Sequence, residues 1–364
     1  MRAAVLTRAQ SRLDLLDDIQ VADPGAGQVL VAVSHCGICH SDLTIIESGI
    51  EPIPIILGHE AAGVVEAVGP GVTAVSAGDH VVLVAIAPCG RCYWCVRGKP
   101  TVCEKAMSFM SGTLPDGSTG LSRDGETVYR GLGVGGFAEQ VLTTESGVVR
   151  IDPEVPLDLA SVIGCAIQTG VGAVLNTAGV EEGATVLVMG LGGVGISVVQ
   201  GARIAGASRI IASDPLADRR NLARSFGATD VVDPGESDVV EFCQDLTGVG
   251  VDYAFDAAGS ARLLEAGVLA TCSGGTTVSV GAPDPTEVLG NLPAILFAIT
   301  EKRLVGCLYG GGNPHWQIPR LVSLWQRGLL DLEGMISTRR PLGEINGGLD
   351  DLRMGRGLRT VLAL

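Results

Sequence analysis

The sequence predicts an α/β protein of two domains, a small β-rich one and one built on a doubly wound parallel sheet. Three observations carry this. At 364 residues the chain exceeds the size at which a single core usually stops growing. Between Gln28 and about Val149, short β-branched runs sit between glycine-rich turns, the mark of mostly antiparallel strands. From about Pro156, near-continuous apolar runs alternate with stretches of helical spacing, as in parallel sheets covered on both faces.

In chain order, the first domain takes its strands from QVLVAVS, AAGVVEAVG, HVVLVAIA and FAEQVLTT. Residues 108–136 are rich in Gly, Ser, Thr and Asp without periodicity and read as a long surface loop. DLASVIGCAIQTGVGAVLNTA has helical spacing. The strands TVLVMG, RIIASD, ATDVVD, VDYAFDAAG and TTVSVGA follow, separated by helices. After Leu304 come the turn GGGNP, a helix around IPRLVSLWQRG and a last strand LRTVLAL, which return to the first domain. The expected division is 1–160 with 305–364 against 161–304.

Composition narrows the function. Apolar residues make up 46% and charged residues 18%, so the chain can bury a sizeable core. A net charge of -15 repels phosphate backbones and anionic headgroups, which argues against nucleic-acid and membrane-surface partners. The amino terminus lacks the apolar core of a signal peptide and no segment has about 18 uninterrupted apolar residues, so a cytoplasmic protein is expected. In a reducing compartment the ten cysteines read as metal ligands or reactive thiols rather than disulfides.

Four of them define a metal loop. Cys89, Cys92, Cys95 and Cys103 are spaced C-x2-C-x2-C-x7-C, with Gly90, Gly98 and Pro100 allowing tight turns. Four thiolates close the tetrahedral shell of zinc and leave no position for water, so the ion is structural. An iron–sulfur cluster is the rival occupant.

Gly190, Gly192 and Gly195 make G-x-G-x-x-G directly after a strand and at the opening of a helix. There the backbone can approach a pyrophosphate held at the positive helix end. Asp214 closes the next strand, where a carboxylate accepts the ribose hydroxyls and repels a 2′-phosphate, favouring NAD(H) over NADP(H). Arg219 complicates that choice, since it could pair with a phosphate if Asp214 turned aside. Cys39, His59 and Cys165 remain as candidate ligands of a second zinc, a set that leaves one position open for catalysis.

With CGICHSDL, GHEAAGVVEAVGPGV, GDHVV, the four-cysteine loop, GLGGVG and LRTVL standing in order along the whole chain, the sequence resembles the zinc-dependent alcohol dehydrogenases of the medium-chain dehydrogenase/reductase superfamily. The insert PDGSTGLSRDGETVYRGLGVGGFAEQ resembles the liver-type branch, which includes thiol-linked formaldehyde dehydrogenases and aryl alcohol dehydrogenases. The resemblance implies a GroES-like catalytic domain, a Rossmann cofactor domain, two zinc ions per chain and NAD(H). It also implies that Asp42 orients His59, that Glu60 sits behind the catalytic zinc and that Ser41 receives the alcohol proton. Thr169, Gly193, Val194 and Val280 would meet the cofactor, with His40 and Arg359 on its pyrophosphate.

Three positions depart from many relatives. Thr44 stands where a relay histidine is common, His40 replaces an arginine, and Ala85 replaces a bulky pocket residue, which predicts room for aromatic or other large alcohols. The resemblance further implies a homodimer joined through edge strands of the cofactor domain, or a tetramer. A polyol or thiol-adduct dehydrogenase is the alternative within the superfamily, and a non-catalytic zinc-ribbon module the alternative outside it.

Overall fold

The computed structural model describes residues 1–49, 52–284 and 286–364. They form two compact units. The first comprises Met1–Ala166, Asn313–Gln326 and Leu332–Leu364, and the second Ile167–Gly312 with Arg327–Asp331. These bounds lie six residues beyond the expected 160 and eight beyond the expected 304, with a physical reason at each join. No linker marks the first, because one helix runs unbroken over Leu157–Ala178. The second moves because Arg303–Gly306 pairs in parallel with Thr271–Ser279 and so belongs to the second unit's sheet.

In the first unit the strand Gln28–Gly37 is long enough to organise its neighbours. It pairs with Glu60–Val68 over most of its length, with Gln140–Thr144 along its first half and with Arg359–Ala363 along its end, all antiparallel. From Gln28 to Ser34 its residues alternate between half-buried and buried, the period of two that the sequence shows. Ala3–Leu6, wholly buried, starts a further sheet that takes in Asp14–Leu16, Ile55–Ile56 and Tyr129–Arg130. The expected surface loop at 108–136 is corrected by this pairing. Leu114, Leu121, Val128 and Arg130 within it are buried, and Leu121–Arg123 pairs with Gln20–Val21.

The second unit is a six-stranded, all-parallel sheet. Its spatial order is Asp230–Val232, Arg209–Ser213, Thr185–Met189, Val251–Asp256, Thr271–Ser279, Arg303–Gly306. The order reverses at Thr185–Met189, and the carboxyl ends of the strands there are where open α/β sheets bind ligands. Leu187, Met189, Ile211, Val232, Cys243, Val251, Ala254 and Ala270 form a core beneath its helices. Helix Leu157–Ala178 has the length and hydropathy of a membrane span, yet 83% of its most apolar window is buried, as in a core helix.

Candidate active site

The first cluster is built around one carboxylate. Cys39, in extended conformation, is the residue before helix His40–Ser48, and its N–H donates to Asp42 Oδ2 at 3.0 Å. Asp42 Oδ1 accepts from the Gly58 N–H at 2.9 Å and stands 3.3 Å from His59 Nδ1. Asp42 is fully buried, so these contacts are what offset its desolvation. Gly58 has φ +87°, and a Cβ there would strike the Phe137 ring and backbone, so only glycine lets the chain turn into His59. Cys165 comes from a π-helical turn, Ile163–Ile167, of the kind often found at functional sites.

Together Cys39, His59, Glu60 and Cys165 bring one ligand atom each within 4.8 Å of one another. The donor set, two sulfurs, an imidazole nitrogen and a carboxylate oxygen, fits zinc. Holding His59 Nδ1 against Asp42 would leave Nε2 as the nitrogen available to ligate a metal. The hydrogen bond from Cys165, then the Arg359 and His59 charges, hold Cys39 well below the usual thiol range, while the same hydrogen bond and burial push Cys165 up.

Arg359, expected on a pyrophosphate, is found with Nε 3.1 Å from Glu60 Oε2 and Nη2 3.7 Å from Cys39 Sγ. Both members of the Glu60–Arg359 pair are buried, and burial pushes the Glu60 carboxyl up to about 7 against the pull of Arg359. Removing one partner alone would leave an uncompensated charge at a cost of about 3–5 kcal/mol. Ser41 Oγ lies 3.9 Å from Cys39 Sγ. Thr44 Oγ1 donates back to the His40 carbonyl at 3.1 Å, and His40 and Thr44 are both exposed. Ala85 is half-buried beside the Leu132–Gly133 turn, where a Cβ on Gly133 would meet the Ala85 carbonyl oxygen at 2.7 Å.

Cys89, Cys92, Cys95 and Cys103 form the second cluster, their Sγ atoms also within 4.8 Å of one another. The Cys89 N–H donates to Cys103 Sγ at 3.3 Å, and the backbone N–H of Cys95, with that of Glu104, draws Cys92 down to about 6. Amides aimed at sulfur are the surroundings of a thiolate rather than a thiol. Gly90 and Gly98 take φ +72° and +75°, the tight turns the spacing predicts. None of the ten cysteines is in a disulfide.

In the second unit the glycine turn has the steric signature of a dinucleotide cradle. Gly190 has φ +87° and a Cβ there would hit Ala258; a Cβ on Gly195 would overlap the Gly190 carbonyl. Among the described residues, its own chain neighbours aside, no atom lies within 4 Å of where a Cβ on Gly192 would stand, at the start of helix Gly193–Ala205. That fits a pyrophosphate. Val194 is half-buried in the first turn of this helix, and Thr169 is buried on the neighbouring one. Asp214 Oδ2 accepts from the Leu191 N–H at 2.8 Å and Oδ1 from Leu216 N–H at 2.9 Å, tying the acidic residue to the turn itself. Arg219 Nη1 stands 3.8 Å from Asp214 Oδ2 and so faces the same carboxylate.

Two families match this arrangement. The Alcohol dehydrogenase GroES-like domain matches residues 25–153, and the Zinc-binding dehydrogenase family matches residues 193–326. An S-(hydroxymethyl)glutathione dehydrogenase of Escherichia coli is 37% identical over 368 residues, covering 99% of both chains. The chain belongs to the zinc-dependent alcohol dehydrogenases of the medium-chain dehydrogenase/reductase superfamily.

Solved alcohol dehydrogenase folds agree. An alcohol dehydrogenase zinc-binding domain protein from Burkholderia ambifaria superposes with a TM-score of 0.95 at 36% identity, covering 100% of this chain and 98% of that one. A benzyl alcohol dehydrogenase from Acinetobacter calcoaceticus gives 0.94 at 32%, covering 100% and 99%. The chain is thus an oxidoreductase of GroES-like and Rossmann architecture, with zinc and NAD as its cofactors. One residue of this alcohol dehydrogenase escapes the sequence reading. Asp256, fully buried at the end of Val251–Asp256, accepts from the N–H groups of Ala258, Gly259 and Ser260. Its only sequence signal is an acid closing a parallel strand three residues before a glycine.

Proposed function

We propose that this enzyme oxidises bulky or aromatic alcohols to aldehydes or ketones with NAD, and runs in reverse when NADH is abundant. The observation that carries this is the convergence of Cys39, His59 and Cys165 within 4.8 Å, with Ala85 in place of a larger pocket residue. When bound, zinc supplies Lewis-acid polarisation of the alcohol oxygen and NAD the hydride acceptor.

The chain's own residues do the rest. Cys39, His59 and Cys165 hold the catalytic zinc, with Glu60 behind it. Asp42 fixes the His59 ring, and Arg359 balances the charge of Glu60 and Cys39. Ser41 accepts the alcohol proton. With Thr44 turned back onto its own helix, that proton leaves through water or a ribose hydroxyl. Cys89, Cys92, Cys95 and Cys103 hold a second zinc that does no chemistry. Gly190, Gly192, Gly193 and Gly195 receive the pyrophosphate, helped by His40. Asp214 takes the adenosine ribose, beside Arg219, and selects NAD over NADP; Thr169, Val194 and Val280 border the nicotinamide.

The test is metal analysis with a substrate panel: two zincs per chain, loss of turnover in Cys39→Ser, and benzyl-type alcohols preferred to ethanol. Equal or better turnover of ethanol would sink the pocket assignment. A thiol-adduct dehydrogenase is the second reading, favoured by the 37% identity to a protein of that activity. Turnover of formaldehyde only in the presence of a low-molecular-weight thiol would establish it.

We also infer a cytoplasmic homodimer. Ten cysteines without a disulfide suit a reducing compartment. Arg303–Gly306 is an edge strand of the six-stranded sheet, and the nearby helix Ala294–Thr300 exposes Ile295 and Ile299. Such an edge and apolar face are what a second copy covers.

A further inference from the structure

Asp256 lies where three strands of the second unit end together. Its residue pairs in register with Met189 on one side and Ser279 on the other. The carboxylate is fully buried and spends both oxygens on the loop that follows: Oδ1 accepts from Ala258 and Gly259 N–H at 3.0 Å each, and Oδ2 from Ser260 N–H at 2.9 Å. Its carbonyl accepts from Val280 and Gly281 N–H, both at 2.9 Å. One residue therefore anchors two loops that continue from two adjacent strands.

Those loops pack against each other and against the glycine turn with no room to spare. A Cβ on Gly259 would meet the Ala282 carbonyl at 2.5 Å, and one on Gly190 would meet Ala258 Cβ at 2.7 Å and N at 2.9 Å. A shift of the 257–260 loop by an ångström would thus either press on the Gly190 turn or open a gap beside it. We propose that Asp256 is a positioning residue for the dinucleotide, fixing loops 257–260 and 280–282 so that the Gly190–Gly195 turn keeps its cofactor-competent shape. This rests on the dinucleotide lying at that turn. A carboxylate suits the role because its two acceptor oxygens satisfy three convergent amides at once.

The experiment is fluorescence titration of the intact zinc-loaded protein with NADH, paired with amide hydrogen exchange. Asp256→Ala should raise the NADH Kd at least ten-fold. Exchange at Ala258, Gly259 and Ser260 should accelerate while the Arg209–Ser213 strand keeps its protection, and the KM for NAD should rise far more than kcat changes. Asp256→Asn keeps an oxygen for two of the three amides and should fall between the two proteins. An unchanged Kd in Asp256→Ala, or in Asp256→Asn should the alanine variant not fold, overturns the proposal. Failure of the underlying reading looks different: the unaltered protein would bind no NADH, and both would fall.

Discussion

Asp42 Oδ1 stands 3.3 Å from His59 Nδ1, while Oδ2 of the same carboxylate takes the N–H of Cys39 at 3.0 Å. One side chain thus sets the backbone of one zinc ligand and the ring of another. Asp42→Asn keeps the size but removes the charge that favours an Nδ1–H tautomer. Zinc affinity at this site should fall about 10–100-fold, read by chelator competition with the four-cysteine site as internal control. Equal loss at both sites would mean general unfolding.

Cys103 is the buried member of the four-cysteine loop, and its sulfur accepts the Cys89 N–H. Cys103→Ala should release one zinc per chain and lower the unfolding temperature, yet leave turnover at low temperature near that of the unaltered enzyme. Metal analysis and thermal scans check this. Activity lost in step with the zinc would show that the loop serves more than stability.

Ala85 sits against the backbone of Gly133. If Ala85 lines the alcohol pocket as proposed, Ala85→Phe should lower kcat/KM for benzyl alcohol at least ten-fold, about 1.4 kcal/mol of transition-state binding, while that for ethanol holds or rises. A uniform loss for all alcohols would place Ala85 outside the pocket.

Asp351 accepts from Arg340 Nη2 at 2.7 Å and from Arg356 Nε at 2.9 Å. Hydrogen bonds from Arg356 first, then Arg340, hold its carboxyl below the usual range. A depressed folded value contributes stability above the unfolded pKa of about 3.9 and loses it as pH falls through the folded value. Asp351→Asn should therefore cost some stability at pH 7, below about 1 kcal/mol per pair because both ion pairs are open to solvent. The gap between the two proteins should close as the pH drops under about 4. A gap that persisted at acid pH would trace the loss to packing.

Ile295 and Ile299 stand exposed on one helix next to the Arg303–Gly306 edge. The double variant Ile295→Glu, Ile299→Glu should shift the light-scattering mass from dimer to monomer. An unaltered protein that is already monomeric would remove the dimer.

Legibility tracked distance along the chain. The four cysteines lie in one loop, and the glycine turn is a local strand-to-helix junction, so spacing alone exposed them. Arg359 is 320 residues from Cys39, and its pairing with Glu60 exists only through sheet register, which no spacing encodes. Tyr129–Arg130 and Leu121–Arg123 are too short to show a period, which is why their stretch read as surface loop. Arg303–Gly306 was missed for the same reason, being four residues long and half-exposed on an edge. Asp256 is not legible in the sequence because its three partners are backbone amides, which carry no letter there.

The unbroken helix Leu157–Ala178 sets a rule for recombining this protein. Within it, three residues separate Cys165 in the first unit from Thr169 in the second, and the boundary after Ala166 falls between them. A crossover made at that boundary would graft a foreign sequence into the middle of a π-helical turn and misdirect a metal ligand. Chimeras that exchange the cofactor unit should instead be cut ahead of Leu157 or after Ala178, so that the whole rod travels from one parent.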